Sequence, residues 1–443
     1  MSTLDAHPRT LVVGGHISEF SGTGIYLRML FTEWPKDRLA CVSGSSLPPD
    51  WTRCSHYYQT GDQEFKLQLP LNWIVPTRWS GPLENPIHRQ GANAQLSLRS
   101  NFVRRVARYF WQNVIRPSGG ESLYYVTPSV QLLAWIKEVN PGVIYGHCSD
   151  LSSVRFLRRI HQALGLPLVL HLMDDWAGTL YQTMGLTRCL RSRYQVEFAE
   201  LVQSATIVLG ICPEMAEAYE QRYQRPVLSL PNPVEMKPYQ KFTRTKWTSG
   251  KPFRLRYGGR IGWAIRNSLV DISKVVMEMR HMGVDVVFDI TTFNPEQVPD
   301  ACRNLSGVTV SSPCSLVDLP RVQSETDVLV VCYDFDPKSI RLARYSMPGK
   351  MAECMASGTP VLVYGPAGLP VVEYARRFKW GHVVDTQNQE VLSTAIRKLV
   401  KSESLREQLG RTAIRLVAER HDASQVAQRF RELVLNAQHP VAT

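Results

Sequence analysis

Short apolar runs alternate with helix-length segments along almost the whole chain, and this alternation restricts it to an α/β fold built on parallel sheets. Thr10–Gly15 (TLVVGG) reads as a buried first strand, after which Gly22-Thr23-Gly24 opens a helical pattern through Ile25, Leu27, Met29 and Leu30. Further strands are expected at Gly142–Tyr145, Pro167–His171 and Ala205–Gly210, separated by helical stretches such as Leu151–Ala163. A second series begins at Phe253–Gly258 and continues through Val284–Thr291, Val308–Ser311, Val328–Tyr333 and Pro360–Tyr364.

Between the two series, Arg225–Pro238 holds four prolines and no helical pattern, so the crossover between domains is placed there. A chain of 443 residues is too long for one ordinary core. Two α/β domains are therefore expected, divided at 235/236. Pro48–Ala94 is rich in Pro, Gly and Trp and reads as an irregular insertion. The C-terminus reads as two helices, Ser404–Arg420 and Ala423–Asn436, the second with Val426, Phe430, Leu433 and Val434 on one face.

The formal charge of +12 favours anionic partners such as nucleotide phosphates or acidic lipids. No zinc-finger or RNA-binding signature accompanies it, so nucleic acid is not an expected partner. The nine cysteines are scattered and form no CxxC pair, which fits a reduced, cytoplasmic setting. The N-terminal MSTLDAHPRT has no secretory pattern and no apolar run approaches the ~20 residues of a membrane span, so any membrane contact is expected to be peripheral.

The densest chemistry lies in Tyr345–Tyr374 (YSMPGKMAECMASGTPVLVYGPAGLPVVEY), where a loop, a helix, a strand and a second glycine loop come in close order. A nucleotide-diphosphate sugar needs a carboxylate for its ribose hydroxyls, cations for its diphosphate and backbone N–H groups at a helix start. Glu353, Lys350 and the helix they share can supply these. The plainer alternative is a solvated helical ion pair at i, i+3.

MAECMASGTPVLV followed by GLPVVE resembles the donor-binding signature of retaining GT-B glycosyltransferases, the broad family that includes bacterial mannosyl- and glucosyltransferases. The resemblance implies a ribose contact for Glu353. Many members carry a second Glu eight residues earlier, where this chain has Tyr345; Ser346-Met347-Pro348-Gly349-Lys350 is similar instead to the family's P-S-K variant, with Gly349 in place of Ser. RLRYGGRIG (Arg254–Gly262) resembles the loop that offers an arginine, here Arg260, to the diphosphate, and Arg266 stands where many members have a lysine. His171, followed by Asp174-Asp175, matches a histidine and acid that face the donor sugar, and Gly22 and Gly24 match the family's first-strand loop. Taken alone, a Gly-Gly-Arg turn or a histidine after a strand is as readily structural.

The resemblance implies a GT-B fold: two Rossmann-like domains facing a central cleft, 1–235 on the acceptor side, 236–420 binding the nucleotide-sugar donor, and a C-terminal helix, 421–443, packing back on the first domain. The expected activity is transfer of a sugar with retention, the donor being a substrate, with no cofactor and no metal required. His171 and Asp174 are the expected sugar contacts. Gly22, Gly24, Arg260, Arg266, Ser346, Lys350 and Glu353 are the expected donor-binding residues. The acceptor is left open, as are a non-catalytic partner subunit and a nucleotide-sugar 2-epimerase. Arg99–Arg116 (RSNFVRRVARYFWQNVIR) can gather Phe102, Val103, Val106, Phe110 and Val114 on one helical face, beside a set of arginines. Such a helix either rests on an anionic membrane at the inner face or packs on the core with its arginines in water.

Overall fold

A computed structural model of the chain describes residues 7–67, 78–85, 124–181, 185–262 and 264–438. Arg99–Arg116, the expected basic helix, lies outside the described residues. The chain divides into two compact units, one formed by the residues up to Leu230 with those from Ala427 onward, the other by Pro231–Val426.

The first unit is built on an eight-stranded sheet. In chain order its strands are β1 (Thr10–Val13), β2 (Leu39–Ser43), β3 (His56–Gln59), β5 (Gly81–Leu83), β7 (Val143–Gly146), β8 (Leu168–Leu172), β9 (Ile207–Gly210) and β10 (Leu228–Ser229), while β4 (Phe65–Leu67) and β6 (Tyr124–Val126) form a separate antiparallel ribbon. The sheet order is β10-β9-β8-β7-β1-β2-β3-β5, parallel except for β5 at the edge. Every residue of β1, β7 and β8 is buried, as continuous apolar runs covered on both faces require. β1 pairs with β2 on one side and β7 on the other, Thr10 standing against both Leu39 and Val143.

Three short strands, β3, β4 and β5, occupy the segment expected to be irregular, which corrects that expectation. They are only three or four residues long and lie in the last two positions of the sheet or in the ribbon, so no apolar period of two marks them.

The second unit holds β11 (Phe253–Gly258), β12 (Val286–Thr291), β13 (Val308–Ser311), β14 (Val328–Cys332), β15 (Val361–Tyr364) and β16 (His382–Val384). All pair in parallel in the order β13-β12-β11-β14-β15-β16. This is the 3-2-1-4-5-6 order of a Rossmann sheet, which directs ligands to the carboxyl ends of the strands where the order reverses. In this unit the reversal falls between β11 and β14; in the first unit it falls between β1 and β7.

The last helix, Ala423–Gln438, ends in the first unit. Its Phe430 ring, on the apolar face expected from the sequence, meets Phe31 at 5.2 Å, Tyr145 at 5.6 Å and Trp34 at 5.7 Å. No described helix is long and apolar enough to cross a membrane.

Candidate functional site

In the second unit the loop leaving β11 is pinned from three directions. Gly259 has a φ of +139°, a conformation open to glycine, and its N–H donates to the Thr291 carbonyl at 3.0 Å. The Tyr257 hydroxyl donates to the Arg260 carbonyl at 2.8 Å, and Asn294 both accepts from the Ile261 N–H (3.1 Å) and donates to the Ile261 carbonyl (3.0 Å). Arg260 is thereby presented on an exposed turn whose backbone cannot drift.

The helix Lys350–Ala356 buries Met351, Ala352, Cys354, Met355 and Ala356 and leaves Lys350 and Glu353 half-buried on its remaining side. Lys350 reaches the β11 loop: its ammonium lies 3.7 Å from the centre of the Tyr257 ring, and a Cβ on Gly259 would stand 3.5 Å from Nζ. It forms no ion pair with Glu353, so the solvated i, i+3 pair weighed from the sequence is not what forms. Among the described residues nothing donates to the Glu353 carboxyl, and no carboxylate pairs with Arg260, Arg266 or Lys350. Burial pushes the Glu353 carboxyl up to about 7 against the pull of Lys350, and burial lowers the Lys350 ammonium. The Gly259 loop and the Lys350 ammonium therefore meet from sequence segments far apart, with Glu353 one helical turn beyond Lys350.

Arg266 is the first residue of the helix Arg266–His281, half-buried. The first amides of that helix are already taken, since the buried Asp334 carboxylate accepts from Asn267 N–H (3.1 Å) and Ser268 N–H (2.7 Å). An anion at this edge must therefore be held by side chains rather than by that helix start. Asp334 was missed from the sequence; its only mark is an acid just past the buried run VLVVC. Ser346 sits in the turn before Lys350, its N–H donating to Ala343 and its hydroxyl lying 3.4 Å from the Leu342 carbonyl.

In the first unit His171 lies on β8 with no solvent exposure. Its Nδ1 stands 2.9 Å from the Tyr145 hydroxyl, the Tyr26 ring meets it edge-on at 5.4 Å, and Nε2 is buried with no partner among the described residues. Burial, and secondarily His147, lowers its pKa to about 3, so the imidazole is neutral. Asp174 comes next, half-buried, while Asp175 is committed to structure, accepting from Gly178 N–H (2.9 Å) and the Tyr219 hydroxyl (2.6 Å).

The two expected loop glycines differ. Both lie in the first turn of the helix Gly22–Leu30, capped by Ser21, whose hydroxyl accepts from Gly24 N–H at 3.0 Å. A Cβ on Gly24 would stand 2.5 Å from the Ser18 carbonyl oxygen, whereas one on Gly22 would meet nothing within 4 Å. Gly24 is required by packing and Gly22 is not. A glycine not singled out from the sequence, Gly14, ends β1 with φ +83°, and a Cβ there would overlap the His147 carbonyl.

The chain matches no family model, and no curated protein matches it in sequence. Solved structures share its fold over nearly the full length. Sucrose-phosphate synthase from Thermosynechococcus elongatus is 14% identical over 96% of this chain and 98% of its own, with a TM-score of 0.60. HepE of Anabaena in complex with UDP-glucose is 11% identical over 96% and 99%, with a TM-score of 0.59. An α,α-trehalose-phosphate synthase (UDP-forming) from Burkholderia xenovorans in complex with glucose-6-phosphate is 11% identical over 96% and 99%, also with a TM-score of 0.59. Two parallel Rossmann-like sheets, a closing C-terminal helix and these likenesses give the chain the GT-B fold of glycosyltransferases.

Proposed function

We propose that the chain is a retaining glycosyltransferase whose second unit binds a nucleotide-diphosphate sugar. The observation that carries this reading is Glu353: a half-buried carboxyl with no donor among the described residues, one helical turn from the Lys350 ammonium that lies against the Gly259 loop. The ribose hydroxyls supply the missing donors to Glu353, and Lys350, Arg260 and Arg266 neutralise the diphosphate. The nucleotides carried by the HepE structures, UDP and UDP-glucose, support a UDP-sugar as the donor to test first.

In the reaction the C1–O bond to the diphosphate breaks and a C1–O bond to the acceptor forms on the same face. The acceptor's hydroxyl proton passes to the departing phosphate oxygen, so the protein's part is to position the reactants and to stabilise charge on the leaving group. Retention rests on the likeness of MAECMASGTPV to retaining members. His171 and Asp174 are assigned to the donor sugar, His171 as a neutral imidazole.

The test is a panel of nucleotide sugars scored by thermal shift, followed by product analysis. A specific donor raises the melting temperature by mass action. The transferred sugar should keep the donor's anomeric configuration by NMR coupling. Inversion refutes retention, consumption of donor without an acceptor makes the protein an epimerase, and binding without turnover makes it a partner subunit.

A further inference from the structure

The chain passes from the first unit to the second at Leu230-Pro231 and returns at Val426-Ala427. Within the second unit, three hydrogen bonds tie the two passages together. Val234 N–H donates to the His421 carbonyl (2.8 Å), Ala423 N–H donates to the Val234 carbonyl (3.0 Å), and His421 Nδ1 stands 2.9 Å from the Asn232 carbonyl. A carbonyl only accepts, so the tautomer assigned from these partners has its proton on Nδ1. Burial favours the neutral ring, whose Nε2 then accepts from the Tyr374 hydroxyl at 3.0 Å.

Asn232 is set between two prolines. Pro231 and Pro233 have a fixed φ and no N–H, and a residue before proline is held to extended backbone, so Asn232 has little freedom of its own. Its buried side chain leaves the crossover: the carboxamide nitrogen donates to the Met347 carbonyl at 2.9 Å, across 115 residues of sequence. That carbonyl belongs to the segment Ser346–Gly349, which leads into the helix Lys350–Ala356. The next two carbonyls, of Pro348 and Gly349, accept from Met351 N–H (3.0 Å) and Ala352 N–H (3.3 Å) of the helix. The Met347 carbonyl lies just outside that ladder, and among the described residues Asn232 Nδ2 is its one donor.

We infer that Asn232 is a positioning residue for the donor: by holding the Met347 carbonyl it fixes the segment from which Lys350 reaches the Gly259 loop. The passage between the units is thereby tied to a cation of the diphosphate site. The ligand in this inference rests on the donor reading above, whereas the hold of Asn232 on the segment is measured without any ligand.

Hydrogen exchange of the full chain, free of ligand, reads that hold. Asn232→Ala removes the donor, and Asn232→Ser does so with a smaller void should alanine not fold. In either variant the amides of Met351 and Ala352 should exchange about tenfold faster while those of β12 keep their wild-type rates, the mark of local rather than global loosening. The effect on the donor is read by calorimetric titration with UDP in a double-mutant cycle with Lys350→Met. The Asn232 variant should bind UDP about tenfold more weakly in the wild-type background and lose less than about threefold once Lys350 is gone, because Asn232 acts through that ammonium. A merely structural loss would be equal in both backgrounds. Equal losses, an unchanged UDP affinity in the folded variant, or unchanged exchange at Met351 and Ala352 each overturns the inference and leaves the donor reading standing. A wild-type chain that binds neither UDP nor any nucleotide sugar sinks the donor reading, and the positioning role with it.

Discussion

The Lys350 ammonium rests 3.7 Å from the centre of the Tyr257 ring and not on the carboxylate of Glu353, one turn away on its own helix. A cation over an aromatic face keeps its charge available to a further anion, because the ring neutralises none of it. Replacing Lys350 with Met removes the cation–π contact, worth ~0.5–2 kcal/mol, and with it the cost of desolvating an ammonium, so the two stability effects oppose each other. Urea denaturation should place Lys350→Met within about 1 kcal/mol of the wild type. The UDP affinity should fall by about 1.5–3 kcal/mol, roughly 10- to 150-fold. A calorimetric Kd within threefold of wild type in the folded variant removes Lys350 from the site.

Glu353 gives a pH signature. Its folded pKa of about 7 lies above the ordinary 4.5, so between these values the folded chain holds a proton that the unfolded chain has released. Its contribution to stability is therefore lost as pH rises from about 4.5 to 7, and Glu353→Gln should gain on the wild type over that interval. Binding runs the other way. The ionised carboxylate is the better acceptor for ribose hydroxyls, so the wild-type affinity for UDP-glucose, whose phosphodiesters do not titrate here, should rise through neutral pH and level off above it. Glu353→Gln should bind more weakly by about 1.5–3 kcal/mol at pH 8, with a flat profile. Parallel pH profiles for the two proteins would remove the carboxylate from the nucleotide site.

How much of this was legible in the sequence depends on what each element buries. The strands Phe253–Gly258 and Val308–Ser311 form over the residues expected, and β12, β14 and β15 start or stop within two residues of expectation, because uninterrupted apolar runs have few alternatives to a covered parallel sheet. His56–Gln59 and His382–Val384 escape notice because three or four residues carry no measurable period. At the site the spacing of Lys350 and Glu353 shows that they share a helix, but not where Lys350 points; that is set by Tyr257, on the strand β11. Asn232 and Met347 are ordinary residues 115 positions apart in sequence, and only the fold of the second unit joins them.

His171 should govern part of the acid sensitivity. Its folded pKa of about 3 lies below the ordinary 6.5, so as pH falls between these values the unfolded chain takes up a proton that the folded chain refuses, and stability is lost. Glutamine at this position keeps a hydrogen-bonding partner for the Tyr145 hydroxyl but does not titrate. His171→Gln should therefore flatten the dependence of unfolding free energy on pH between 6 and 4, by at most about 1.4 kcal/mol per pH unit. Urea titrations at three pH values measure the slope. An unchanged slope would mean that His171 is not held neutral.

The glycines of the first unit separate packing from ligand contact. Gly14→Ala puts a methyl into the His147 carbonyl at a backbone angle that alanine resists. A loss on the order of 2–4 kcal/mol is expected, combining the strain of the left-handed residue with overpacking. Gly24→Ala drives a methyl to 2.5 Å from the Ser18 carbonyl oxygen and disturbs the turn that Ser21 caps, so it should also destabilise. Gly22→Ala meets open space in the first helical turn and should leave stability unchanged or raise it by up to about 1 kcal/mol. Gly22 is thus the informative position: the protein folds, and the added methyl projects into open space. If Gly22 borders the ligand, Gly22→Ala should keep the wild-type melting temperature while transfer activity falls tenfold or more. A variant as stable and as active as the wild type would take Gly22 out of the site.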